Sequence, residues 1–567
     1  MKARPFLAVV LAGVLALLFL GIGSWWWVLR SSPLQLQHQP LTVPLASRFV
    51  PRQAPLSLHL LTSPDQLEGY ARAVTPGRQR RQAAQALADL RDGVFAVAGL
   101  DYSQELSGWI GDETSLSLFR SEPDGGSTGW VLALRSRDAD GARRFLQRFW
   151  QSRSLAGTNL QVSTYRGMGL ISGRGALVGQ ETRPLATALI DDDLVLIASG
   201  RGVLEQSLDV SQIDDLNQAT SPRFQEALNR IGEGVALITA RPEGLAAWLG
   251  LPADPALQAA TTDLVLALRP DGRNLVLDAL LGLSQPLPPL QSADVSDLTA
   301  DLRAHPSTLA LLQDPAQLLG QDPPPAADAQ PAADAAEAAD SEPAGNAAVA
   351  PPPALAWADL LAPTLQALLA AESGPLPALV AAADHGPLLW GHLPEGWLLA
   401  TAAAAVPTAD LAPPLQAQGY VEAPLTLGDR SIQAWSRLLV SPRRHDPEPL
   451  AVGLAGVRVV EGAVAWWAQG LAALQAQLPA GSHRHQGDPG DPLAQLQALE
   501  RPQAPVRLAL AADPAQALLL RWQPWRLLGT LTGRSFRDSV AGLALSLEAD
   551  PAAREGGLRL QARLDLA

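Results

Sequence analysis

His483 and His485 stand one residue apart in the stretch SHRHQGDPGD, with Asp488 and Asp491 close behind. Two imidazoles and a carboxylate at that spacing can hold a transition metal, which makes metal-dependent hydrolysis one reading of the chain. The surrounding glycines and prolines predict a surface loop whose ligands the metal itself would have to order, so a solvated loop is favoured. The glycine-rich stretch Arg166 to Gly175 (RGMGLISGRG) offers backbone amides to an anion. A dinucleotide loop needs a helix directly after it, and ALVGQETRP reads as strand and turn, so a hairpin turn is favoured. Asp191, Asp192 and Asp193 could bind calcium or share a proton, but alternating oxygen ligands and a distal glutamate are missing. A turn before the strand Leu194 to Ala198 is the expected use. Arginines gather twice, at Arg72, Arg78, Arg80, Arg81 and Arg91 and at Arg143, Arg144, Arg148 and Arg153. Near anionic lipid each is worth about 1 kcal/mol, yet plain solvated helix faces are favoured.

Composition removes much other chemistry. The 567 residues include no cysteine, which excludes disulfides, thiolate nucleophiles, iron-sulfur clusters and thiolate zinc sites. Lys2 is the only lysine, which leaves no Schiff-base or phosphate-cradling lysine elsewhere. No His-Glu-x-x-His motif occurs. A net charge of -14 argues against a nucleic-acid partner, which needs clustered positive charge. No catalytic residue, resident metal or cofactor is assigned, and a non-catalytic protein is expected.

The elements that would position any site recur. Four segments pair an alternating apolar strand with a proline that opens a helix: Pro55 to Tyr70, Glu233 to Trp248, Pro306 to Leu319 and Pro505 to Leu519. Ser63, Asp314 and Asp513 precede three of those prolines as good caps, whereas Arg241 does not. Hairpins over Asp263 to Leu283, turning at Asp271 and Gly272, and over Gly542 to Leu566 each follow such a unit. Earlier in each half a hairpin leads into a helix, Thr114 to Arg135 into Asp138 to Trp150 and Gly386 to Ala403 into Asp410 to Gln418. Another hairpin then follows, around Leu160 to Gly173 and around Tyr420 to Leu438. This order predicts the α+β class, with antiparallel or mixed sheets and helices on one face, in two diverged tandem copies over residues 51–284 and 303–567. Residues 285–302 connect them. Residues 321–353, rich in proline, alanine and acid, form an insert that cannot bury enough apolar surface to offset ordering entropy. The tryptophans from Trp109 to Trp525 are expected in the core.

Phe6 to Leu29 is an uninterrupted apolar run, with Lys2 and Arg4 before it and Trp25, Trp26 and Trp27 at its far end. A helix of that length measures roughly 36 Å, enough to cross a hydrocarbon core of about 30 Å. The basic flank predicts residues 1–5 in the cytoplasm, a signal anchor over 6–29, a juxtamembrane linker over 30–50, and the bulk of the chain periplasmic or thylakoid-lumenal. The three tryptophans suit the outer membrane interface. With this anchor, the strand-proline-helix element at Pro55 to Tyr70, Leu106 to Asp112 (LSGWIGD) and Asp192 to Ser199 (DDLVLIAS), the chain resembles an uncharacterised family of membrane-anchored cyanobacterial proteins. The resemblance implies a localisation and no mechanism. The expected function is a membrane-tethered interaction or scaffold protein, with the lipid bilayer and an unidentified protein as partners. Its alternative is an extracytoplasmic binder of an apolar or lipid ligand between the two copies, since sites favour domain interfaces.

Overall fold

The computed structural model describes residues 32–566 apart from 121–127, 156, 158, 179–180, 245–254, 291–294, 321–354, 371–373, 440–450, 479–489, 533–538 and 554–555. The expected anchor with Trp25, Trp26 and Trp27, the acidic insert, and His483 and His485 lie outside the described residues. Among the described residues no helix is long and apolar enough to cross a membrane.

Alternating and continuous apolar runs give ten strands in the first half: β1 (Leu56–Leu60), β2 (Ile110–Arg120), β3 (Thr128–Ser136), β4 (Asn159–Tyr165), β5 (Met168–Val178), β6 (Glu181–Ile190), β7 (Leu194–Ala198), β8 (Ala236–Ala240), β9 (Thr261–Asp271) and β10 (Asn274–Leu283). The second half gives β11 (Thr308–Leu312), β12 (Leu388–Leu393), β13 (Gly396–Ala402), β14 (Val421–Leu427), β15 (Arg430–Leu439), β16 (Ala451–Glu461), β17 (Val464–Ala468), β18 (Val506–Ala511), β19 (Val540–Ala549) and β20 (Gly557–Leu566). They join in one sheet of 20 strands. Every pairing among the described residues is antiparallel, so the class is α+β and no doubly wound parallel sheet forms. The order in the first half is β4, β5, β6, β7, β3, β2, β1, β8, β9, β10. From the opposite edge, the second half runs β14, β15, β16, β17, β13, β12, β11, β18, β19, β20. The halves meet where β10 pairs with β20, from Leu275 opposite Leu564 to Gly282 opposite Gly557. An Arg559–Asp278 ion pair, Nε to Oδ1 at 3.0 Å, spans that seam.

The expected turns are present. Arg166 and Gly167, both at positive φ, turn β4 into β5, the backbone that a two-residue hairpin turn requires. Asp191 and Asp192, at φ 47° and 59°, turn β6 into β7. Ser63 accepts from the Gln66 amide at 3.3 Å and Asp314 from that of Gln317 at 3.1 Å, each capping a helix that starts on proline. Asp513 does not cap. Its helix, Ala512–Arg521, starts directly from β18 and places Asp513 in the first turn, where its charge meets the positive end of the helix dipole.

Helices on one face of the sheet are not what forms. In the second half, Ala310, Leu312, Trp390 and Trp397 pack against helices Trp357–Ala370 and Leu376–Ala383, while Leu309, Leu311, Leu389 and Leu398 pack on the other side with Leu474, Leu493 and Leu496. The reason lies in the strands: β7 (LVLIA), β11 (TLALL) and β17 (VAWWA) are buried at every position, so both faces need cover. Most of the tryptophans expected in the core are buried, but Trp130, Trp522 and Trp525 are only half-buried.

Candidate functional site

The first half holds an apolar cavity of about 550 Å³ between the sheet and a pair of helices. Its floor is one face of three adjacent strands, with Leu58 and Leu60 of β1, Thr114, Leu116 and Leu118 of β2, and Trp130 and Leu132 of β3. These residues share a face because they alternate along each strand and lie opposite one another across the ladder, Leu58 beside Leu116 and Leu116 beside Leu132. The roof is helix Pro64–Val74, through Pro64 and Leu67, and helix Arg80–Val97, through Leu87, Leu90, Arg91, Val94 and Phe95. That spacing of three and four residues puts the apolar side chains on one stripe. Leu528, from helix Gln523–Thr532 of the second half, supplies a side wall.

The roof is pinned. Tyr70 donates its hydroxyl to the Gly272 carbonyl at 2.8 Å and accepts from Gln37 Nε2 at 2.9 Å, tying the first helix to the β9–β10 turn. Yet three apolar walls stay in contact with solvent: Leu58 is 38%, Leu116 39% and Val94 43% exposed. Covering what remains of each supplies up to about 1 kcal/mol. An apolar guest would gain that energy.

At the corresponding place in the second half, large side chains are buried against the sheet. By strand register Leu58 corresponds to Ala310, Leu116 to Trp390, Trp130 to Trp397 and Leu132 to Leu399. There Trp357 is 0% exposed, Trp390 and Trp397 are buried, and Leu365, Leu369 and Leu399 close around them. Trp357 also donates its indole N–H to the Pro288 carbonyl at 2.8 Å. The same strand arrangement is filled in one half and hollow in the other.

Among the lining residues Arg91 alone carries charge, and it faces a set of acids. Its Nη1 lies 3.4 Å from Asp65 and 3.5 Å from Glu68, its Nε lies 2.9 Å from Asp92, and its guanidinium sits 4.1 Å above the Tyr102 ring. Glu68 also pairs with Arg72. Arg91 is therefore not the solvated residue its sequence neighbours predict. Arg153 departs likewise: it is buried, stacked 3.5 Å above Phe149, and burial lowers its pKa. Arg78, Arg80, Arg81, Arg143, Arg144 and Arg148 are exposed.

The other candidates take structural places. Asp192 pairs with Arg143 and Asp193 with Arg135 at 3.5 Å, and no group of three metal-ligating side chains occurs among the described residues. Asp491 caps helix Pro492–Gln497 by accepting from the Leu493 amide at 3.3 Å. A pair that sequence reading missed lies on the opposite face of β1 and β2, where His59 Nδ1 and Ser115 Oγ are 2.8 Å apart. Only strand register could have brought it to notice. Both residues are shut off from solvent, and burial lowers the His59 pKa to about 4, which keeps the ring neutral. It is a contact buried in the core.

The model of a family described as "Protein of unknown function (DUF3352)" matches residues 10–321. No curated protein matches the chain. Among solved structures, crystal form IV of TP0453 matches at 11% identity over 42% of this chain and 79% of that one, with a TM-score of 0.25. Crystal form III matches at 10% identity over 47% and 89%, with the same TM-score.

Proposed function

The chain belongs to the DUF3352 family, and from that premise we propose that it binds an apolar ligand of lipid type in the cavity beneath helices Pro64–Val74 and Arg80–Val97. The observation that carries this reading is the contrast between the halves. A register that is packed with Trp357, Trp390 and Trp397 in one half is left open in the other, with Leu58, Leu116 and Val94 half-uncovered around about 550 Å³. Its size and apolar walls are those of small-molecule sites. Of the readings left open by the sequence, ligand binding has this support, whereas an interaction surface has none as specific and a hydrolase would rest on His483 and His485 alone.

In the same reading the halves are diverged copies of one unit, supported by nine strand pairings in each that follow the same order. The site lies within the first copy, with only Leu528 from the second, and not midway between them. Residues 6–29 anchor the chain and leave the cavity beyond the cytoplasm, a placement that rests on the apolar run and its basic flank. A membrane tether would keep the site beside its ligand source.

Organic extraction of the purified full-length protein, followed by mass spectrometry, tests the reading. One apolar species enriched over the lipids of the source membrane, at close to one per chain, is expected. An extract with the same composition as that membrane would contradict it.

A further inference from the structure

We infer that the cavity selects an uncharged lipid and rejects fatty acids and other amphiphiles whose anionic head would have to lie beside Arg91. The inference rests on the proposed ligand-binding function and deepens it by fixing the charge of the ligand. A lipid-binding site for carboxylates needs a cation with unspent hydrogen-bonding capacity at the end of an apolar slot. Arg91 is placed as that cation would be, but its charge is already committed. Asp65, Glu68 and Asp92 lie within 3.5 Å of its guanidinium, and the face of the guanidinium is held over the Tyr102 ring. Arg72 adds a second cation through Glu68, so the cluster sets two guanidinium groups against three carboxylates. An incoming carboxylate meets three carboxylates already set around Arg91 and must shed water without gaining a free donor. A hydroxyl, ester or hydrocarbon end carries no such penalty. The remaining walls are apolar apart from Thr114, so binding strength comes from the chain and selectivity from the rim.

Displacement of Nile red from the full-length protein by dodecanol and by laurate, at pH 8 where laurate is ionised, separates the possibilities. Dodecanol is expected to bind at least tenfold more tightly than laurate. The double substitution Asp65→Asn with Glu68→Gln removes both carboxylates from Arg91 Nη1 and leaves only Asp92 on Nε, and should raise laurate affinity at least fivefold while leaving Nile red and dodecanol unchanged, which also reports an intact cavity. Equal or tighter binding of laurate to the natural protein overturns the inference, as does a double variant with unaltered laurate affinity. Failure of all three compounds to bind overturns the ligand-binding reading itself.

Discussion

Leu116→Trp is expected to abolish binding of apolar ligands, with affinity falling at least 100-fold while the fold is kept. Leu116 points from β2 into the cavity and is 39% exposed, so an indole has open space to enter. Its counterpart by register is Trp390, which is buried against Trp397, Trp357 and Leu399 in the second half. The substitution therefore turns the first half toward a packing that the same strand arrangement already supports. Inserting bulk into a close-packed core costs about 1–3 kcal/mol, but here the ring fills a void and no such loss of stability is expected. Titration with Nile red and thermal unfolding, measured side by side, check both parts. Val452→Trp, at an exposed position of β16, serves as the control and should leave binding unchanged.

Asp384→Asn is expected to stabilise the protein at alkaline pH by an amount on the order of 4 kcal/mol. Asp384 follows helix Leu376–Ala383 and is fully buried. Its Oδ1 accepts from the Gly386 amide at 2.8 Å, while Oδ2 has no partner. Burial, with repulsion from Asp314, raises its pKa from 3.8 to about 7. The folded state thus holds this proton more tightly than the unfolded chain. The natural protein has the full contribution below pH 3.8, loses it as pH rises through that window, and is left with a buried unpaired charge above pH 7. A shift of that size corresponds to about 4 kcal/mol at 1.36 kcal/mol per pH unit. Asparagine keeps the shape and the amide contact without the titration. Urea unfolding at pH 4 and pH 8 should show little difference between the two proteins at the lower value and a clear gain for the variant at the higher. A gain of equal size at both would show that the effect is not the carboxylate's ionisation.

The punctuation of the chain was legible because local chemistry decides it. Ser63 before Pro64 and Asp314 before Pro315 can do little but cap, and Gly272 marks its hairpin because the turn needs positive φ. The hairpin turn expected within Arg166 to Gly175 and the turn expected at Asp191 to Asp193 form at Arg166–Gly167 and Asp191–Asp192. Where a strand ran straight into a helix, as at Ala511 and Ala512, the proline rule misplaced the start. Cover on both faces was written in the unbroken apolar runs of β7, β11 and β17, but an alternating template reads such runs poorly. The cavity could not be read at all. Apolar patterning treats Leu58 and Leu116 as equivalent to Ala310 and Trp390, and the difference between a filled and an open space lies in side-chain volume at matched register. Leu528, which closes the side, comes from the other half of the chain. The surroundings of Arg91 escape sequence reading for a related reason, since Asp65, Glu68 and Tyr102 reach it only when helices Pro64–Val74 and Arg80–Val97 and the segment that follows fold against one another.

The most direct test of the account is photolabelling of the full-length protein with an uncharged alkyl diazirine, followed by mapping of the labelled residues. Labels are predicted to cluster at residues 58–60, 64–67, 87–98, 114–118 and 130–132 and at Leu528, and to disappear in Leu116→Trp. Labels spread over both halves, or persisting unchanged in that variant, would contradict it.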